Sequence, residues 1–309
     1  MTDILSRLAA AGSAVALAFT APVLAEKRAA APATEVVETA TTPATPALWK
    51  VADEDTTIWL FGTVHALPAG IEWYHGPVAE ALDGSELLVT EIEMTPETAE
   101  AMQALISSIG MLPADQTLRG LLNEEQRTSY EAALGRLGLP PAAFDRFEPW
   151  YGAMMLAMLP LLQQGYSPDA GVETVLDQAR TEGIARGALE TIEEQLAIFD
   201  GLPIETQIRF LMETVEGIDD IKAMLDLMVA KWAEGDAEEL ARLINESMSD
   251  PELAERLLYR RNANWARWIE ERLDTPGTVF VAVGAGHLAG NQSVQDKLAE
   301  LGIETARVQ

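Results

Sequence analysis

The chain has 309 residues, enough for one large domain or two ordinary ones. Asp and Glu number 49 against 21 Lys and Arg, a formal net charge of −28. That argues against nucleic acid and anionic lipid as partners, because surface cations hold both. There is no cysteine, so disulfides, iron–sulfur clusters, thiolate-bound zinc and thiol nucleophiles fall away together. Chemistry that needs an imidazole must choose among His65, His75 and His287.

In chain order, Arg7 precedes an apolar run that ends in Val23-Leu24-Ala25, with small residues at the −3 and −1 positions of a cut before Glu26. This reads as a secretory signal peptide over residues 1–25 and predicts a periplasmic or secreted protein. Residues 26–46 are rich in Ala, Thr and Pro and read as a disordered linker. The body is predicted to start at Ala47 and to run to residue 309. Its longest apolar stretch, Trp150 to Leu162, is too short to span a bilayer and contains Pro160, so no stable membrane insertion is expected after signal cleavage.

Leu48–Ala52 and Thr57–Gly62 read as a β-hairpin across a polar turn at Asp53-Glu54-Asp55-Thr56. A short helix is predicted over 77–83 and a strand over Leu87–Glu93. Met and Leu at helical spacing fill 96–166, followed by a helix from Val172 and a short strand over Ile184–Leu189. Residues 191–272 are mostly helical, including a long amphipathic stretch from Pro251 to Leu273. Gly277–Val283 is a continuous β-branched run, typical of a strand covered on both faces. A helix over 293–301 and a last strand over 304–308 close the chain. The predicted class is α/β: a mixed central sheet built from both ends of the chain, with a large helical insertion.

Two turns echo each other. Gly62-Thr-Val-His65 and Gly284-Ala-Gly-His287 each follow a predicted strand. The carboxyl edge of an α/β sheet is where ligands bind. A glycine there lets backbone approach closely, with no Cβ in the way. Imidazole serves as metal ligand or general base near neutral pH. His75, before Gly76-Pro77, reads as a turn or capping residue. Among the carboxylates, Glu91 lies where a covered strand leaves the core, a costly place for a charge without a partner. Glu190 ends another strand candidate, Glu173 is placed to cap or line the site, and Glu93 reads as a solvated strand end.

The blocks Leu48-Trp-Lys, Leu60-Phe-Gly-Thr-Val-His65, Leu88-Val-Thr-Glu91, Pro149-Trp150, Gly165 through Glu173, Leu189-Glu190-Thr191, Arg261-Asn262 with Trp265, and Val281 through Leu288 resemble the TraB/PrgY/GumN family, which includes the animal TIKI proteases. The resemblance covers roughly 47–308. It implies an erythromycin-esterase-like or ChaN-like fold, with the two Gly-x-x-His turns and a strand-end glutamate as the active site. It also implies a divalent-metal-dependent peptidase. His65, His287 and Glu91 are the implied metal ligands, and manganese, cobalt or zinc suit such a donor set. Glu91 or Glu190 is the implied general base, and Arg261 or Asn262 the stabiliser of the developing oxyanion. Arg260 stands where many relatives have an acidic residue, and Glu173 where many have Asp. The expected partner is a peptide or small-molecule substrate. A peptide- or haem-sequestering protein without catalysis is the alternative, and so is an esterase acting directly through histidine. No Gly-x-Ser-x-Gly elbow and no His-Glu-x-x-His is present, which disfavours a serine hydrolase and an ordinary zincin.

Overall fold

A computed structural model describes residues 43–181, 183–247 and 250–309. The signal-peptide reading, and the linker reading up to residue 42, lie outside the described residues. The last linker residues are packed: Ala44 is buried and its N–H reaches the Glu72 carbonyl at 2.8 Å.

Eight strands are described: β1 (Leu48–Ala52), β2 (Thr56–Thr63), β3 (Leu67–Pro68), β4 (Leu87–Thr90), β5 (Tyr166–Ser167), β6 (Ala185–Ala188), β7 (Gly277–Gly284) and β8 (Ala306–Arg307). Six of them form a mixed sheet in the order β6-β4-β7-β2-β1-β8, and β3 pairs with β5 in a small separate ladder. β1 and β2 form the expected hairpin, its turn held by Asp53, whose carboxylate accepts from the Thr56 N–H at 2.8 Å. β7 lies between β2 and β4, parallel to both. β6 extends the parallel set beyond β4. The four parallel strands β6, β4, β7 and β2 therefore end at one edge.

Both faces of the sheet are covered, as the apolar run in β7 predicts. Val279, Val281 and Val283, with Ile58 and Leu60, pack on Trp265, Ala266 and Ile269 of the Arg260–Leu273 helix and on Leu298. Phe280 and Ala282, with Phe61, face the helices of the chain's middle. Each large side chain so buried contributes about 1.5–3 kcal/mol. The helical material comes in two blocks, one before β6 and one after it, so the insertion is divided by a strand. β4 stops at Thr90, shorter than the predicted run, and leaves Glu91 just past the strand end. The predicted Pro251–Leu273 helix is continuous but contains a π-turn over Glu255–Tyr259, where the Arg260 N–H reaches back five residues to the Glu255 carbonyl. Such turns rotate the helix register locally and occur often at functional sites.

Candidate functional site

The parallel edge brings four sequence-distant residues together. His65 leaves β2, Glu91 leaves β4, Glu190 leaves β6, and His287 lies on a 3-10 turn (Ala285–Leu288) after β7. The β4–β6 pairing continues past the strands, with the Glu190 N–H on the Glu91 carbonyl at 2.9 Å. The motif glycines make this convergence possible. A Cβ on Gly62 would stand 3.0 Å from Ala285 Cα, so the two Gly-x-x-His turns touch there. A Cβ on Gly284 would lie 3.1 Å from Glu91 Oε1, 3.5 Å from His287 Cδ2 and 3.9 Å from His65 Nε2. Glu91 and both imidazoles thus surround one point.

Each ring is held through Nδ1. Asn262 Oδ1 lies 2.6 Å from His287 Nδ1, and an amide oxygen only accepts, so that nitrogen carries the proton. His287 Nε2 keeps its lone pair and faces Arg261 Nη1 at 3.1 Å and Glu91 Oε1 at 3.7 Å. The ring also packs on Trp265, 4.3 Å between centroids. His65 Nδ1 lies 2.6 Å from Glu173, whose carboxylate also accepts from the Thr63 hydroxyl. Glu173 is in place because the Val172 N–H bonds the Val64 carbonyl at 3.0 Å, and only glycine fits at 171: a Cβ there would meet the His65 carbonyl at 2.2 Å.

Arg261 joins the acidic groups. Its Nε donates to Glu190 at 2.9 and 3.0 Å, its Nη2 to Glu91 at 2.6 Å, and its Nη1 to the Leu257 carbonyl at 3.0 Å. Arg261, Glu91 and Glu190 side chains are each at most 12% exposed. Gln195 donates to Glu91 at 3.0 Å and to Glu190 at 3.1 Å, and the Trp265 indole donates to Glu190 at 3.1 Å. The Gly284 N–H donates to Glu91 at 2.7 Å.

These contacts move the protonation equilibria apart. Burial raises the Glu91 pKa, but Arg261, then the two histidines and the Gly284 N–H, outweigh it and hold the carboxyl well below the usual range. Burial lowers the His287 pKa and the Arg261 cation lowers it further, against the pull of Glu91, to about 3. Burial also opposes the charged form of His65, yet Glu173 and then Glu91 raise its pKa to about 9.

The structure thus brings His65, His287, Glu91, Glu190, Arg261 and Asn262 into one cluster. His75 sits apart at the start of the Gly76–Asp83 helix, where its side chain makes no capping bond. Two participants escaped the sequence reading, Thr63 and Gln195. A signal for Gln195 exists: it interrupts the buried stripe Ile192, Leu196 and Phe199 of its helix with a polar side chain. The implied metal set fares differently. Among the described residues, no three His, Asp or Glu side chains are grouped to hold a metal ion. The His287 lone pair and one Glu91 oxygen are committed to Arg261 instead. As placed, the donors do not fit a resident cation.

The TraB/PrgY/gumN family description matches residues 47–307. The chain belongs to the TraB/PrgY/gumN family. Within reach of this family member are the uncharacterized protein YbaP of Escherichia coli (strain K12) and of Shigella flexneri, each 26% identical over 192 residues, covering 60% of this chain and 70% of theirs. Metalloprotease TIKI2 of Danio rerio is 29% identical over 155 residues, covering 41% of this chain and 30% of its own. No solved structure matches. No helix among the described residues is long and apolar enough to cross a membrane.

Proposed function

We propose that this family member is an exported hydrolase of peptides, with His65, His287 and Glu91 at its reacting centre. The observation that carries the reading is the convergence of both imidazoles and the Glu91 carboxylate on one point at the carboxyl edge of parallel strands. Scaffolds of this kind place ligands there. The relation to a protein named a metalloprotease supports peptides as the substrate class.

The hydrogen bonds support the following roles. Asn262 keeps the proton on Nδ1, so His287 accepts the proton of an attacking water at Nε2, which exchanges its contact with Arg261 Nη1 for that water. His65, protonated and anchored on Glu173, donates to the leaving nitrogen as the C–N bond breaks. Glu91 offsets the positive charge that forms on His287. Glu190, which the sequence left open as a base, is committed to Arg261, Gln195 and Trp265 and positions them. A divalent ion of manganese, cobalt or zinc, if bound, supplies Lewis acidity and a more acidic water. Its donors are spoken for here, so no step runs through it.

The test is cleavage of a peptide library by the purified chain, with EDTA and with added manganese, cobalt or zinc. His65→Ala and His287→Ala are each expected to lower cleavage about 10²–10⁴-fold, the usual worth of an acid–base group. Full activity in both variants overturns the reading. Tight peptide binding by wild type with no cleavage replaces it with sequestration.

A further inference from the structure

Arg261 is held more tightly than a substrate-binding arginine needs to be. Its Nε bonds Glu190, its Nη2 bonds Glu91, and its Nη1 bonds both the Leu257 carbonyl and His287 Nε2. Leu257 lies within the π-turn, and the Arg261 side chain caps its carbonyl from one turn ahead. Four residues on, the Trp265 ring lies 4.7 Å from the guanidinium carbon. Local chain geometry and aromatic packing therefore fix the cation before any ligand arrives.

The acceptors around it are equally occupied. Glu91 Oε1 takes the Gly284 N–H, and Oε2 takes Arg261 and Gln195. Glu190 takes Arg261, Gln195 and Trp265. The Nε2 lone pair of His287 takes Arg261 Nη1. A metal ion must come within about 2 Å of its nitrogen and oxygen ligands. At that distance it would stand beside a buried guanidinium bonded to the same atoms, where repulsion between cations is strong.

We propose that Arg261 is this site's own cation: its guanidinium fills the place between Glu91, Glu190 and His287 that a divalent ion would take, and keeps such ions off. The family resemblance implies a metal on His65, His287 and Glu91; Arg261 bonds two of these three, His287 and Glu91, and the geometry of this chain assigns the position to that arginine. The proposal concerns the same residues as the hydrolase reading and rests on that reading only for the identity of the site. Metal binding is measured without substrate, so either idea can fail alone.

The experiment is isothermal titration of the EDTA-stripped chain with manganese, cobalt and zinc chloride near neutral pH. It compares wild type, Glu91→Gln, Arg261→Met, Arg261→Lys and Arg261→Met/Glu91→Gln. Wild type is expected to show no single-equivalent site that depends on Glu91. Arg261→Met removes the guanidinium and its charge but keeps an apolar stem about as long as the arginine's to Nε. It is expected to gain a one-to-one site at least about tenfold tighter than any in wild type, lost again in the double variant. Arg261→Lys keeps a cation and is expected to gain nothing. A single tight site in wild type that Glu91→Gln abolishes overturns the proposal, and this arm stands even if Arg261→Met fails to fold. Equal metal affinity in Arg261→Met and wild type overturns it as well, as does an equal gain in Arg261→Lys.

Discussion

Two histidines with the same local motif end in opposite protonation states: burial opposes the charged form of both, Glu173 reverses that at His65, and Arg261 adds to it at His287. His65 shares Nδ1 with a carboxylate, whereas His287 shares Nδ1 with an amide and turns Nε2 toward a guanidinium. Removing the charge on the first neighbour, with little change of shape, tests this. Glu173→Gln is expected to lower the His65 pKa by about 1–3 units from about 9, the usual effect of an opposite charge in contact. The shift is read from the imidazole proton signals in an NMR titration. A value still near 9 would mean that Glu91, not Glu173, sustains the protonated form. Both histidines were legible in the sequence because glycine spacing and a preceding strand mark them. Their difference was not, since Glu173 and Asn262 arrive from other parts of the chain.

At the scale of elements, the site depends on how closely backbones approach. The loop Gly165–Glu173 docks on the turn after β2, and Gly171 is the point of contact. Its backbone conformation is ordinary, φ −60° and ψ 149°, so space alone demands glycine. Gly171→Ala is expected to cost about 1–3 kcal/mol, as overpacking does. Gly187→Ala, in edge strand β6, meets only ordinary contacts at 3.5 Å and is expected to change stability far less. Urea unfolding midpoints of the two variants give the comparison, and equal midpoints would remove the packing argument. The hairpin and β7 were readable because turn residues and β-branched runs are local signals. The π-turn was not: the amphipathic pattern from Pro251 to Leu273 continues across it, and only the docking of Arg261 and Trp265 on the sheet edge shows what the extra residue achieves.

For the whole molecule, these pKa shifts become a pH profile of stability. His65 rises from 6.5 to about 9, so the folded chain holds a proton that the unfolded chain releases across that window. Its contribution is complete below 6.5 and is lost as pH rises through about 9. His287 falls from 6.5 to about 3, so between those values the unfolded chain binds the extra proton, and stability is lost as pH falls. Glu91 and Glu173, both held below 4.5, add to the loss on the acid side. Thermal unfolding is therefore expected to peak near pH 6.5. His65→Gln should flatten the decline between about 6.5 and 9 while leaving the acid arm in place; an unchanged alkaline arm would refute the assignment.

The charge of −28, the lack of cysteine and the scarcity of histidine were properties of the chain alone. The lack of cysteine removed thiol and disulfide chemistry before any fold was considered, and three histidines limited where an imidazole could act. The six strands of the central sheet, the two Gly-x-x-His turns and the strand-end position of Glu91 followed from local patterns, because backbone preference and burial act over a few residues; the two-residue strands β3 and β5 did not. Tertiary structure alone decided the order β6-β4-β7-β2, which places four strand ends side by side. It alone paired Arg261 with Glu91, 170 positions away, and with Glu190, 71 positions away. Such pairings depend on which buried charges must neutralise one another once the sheet closes, and no window of sequence contains both partners.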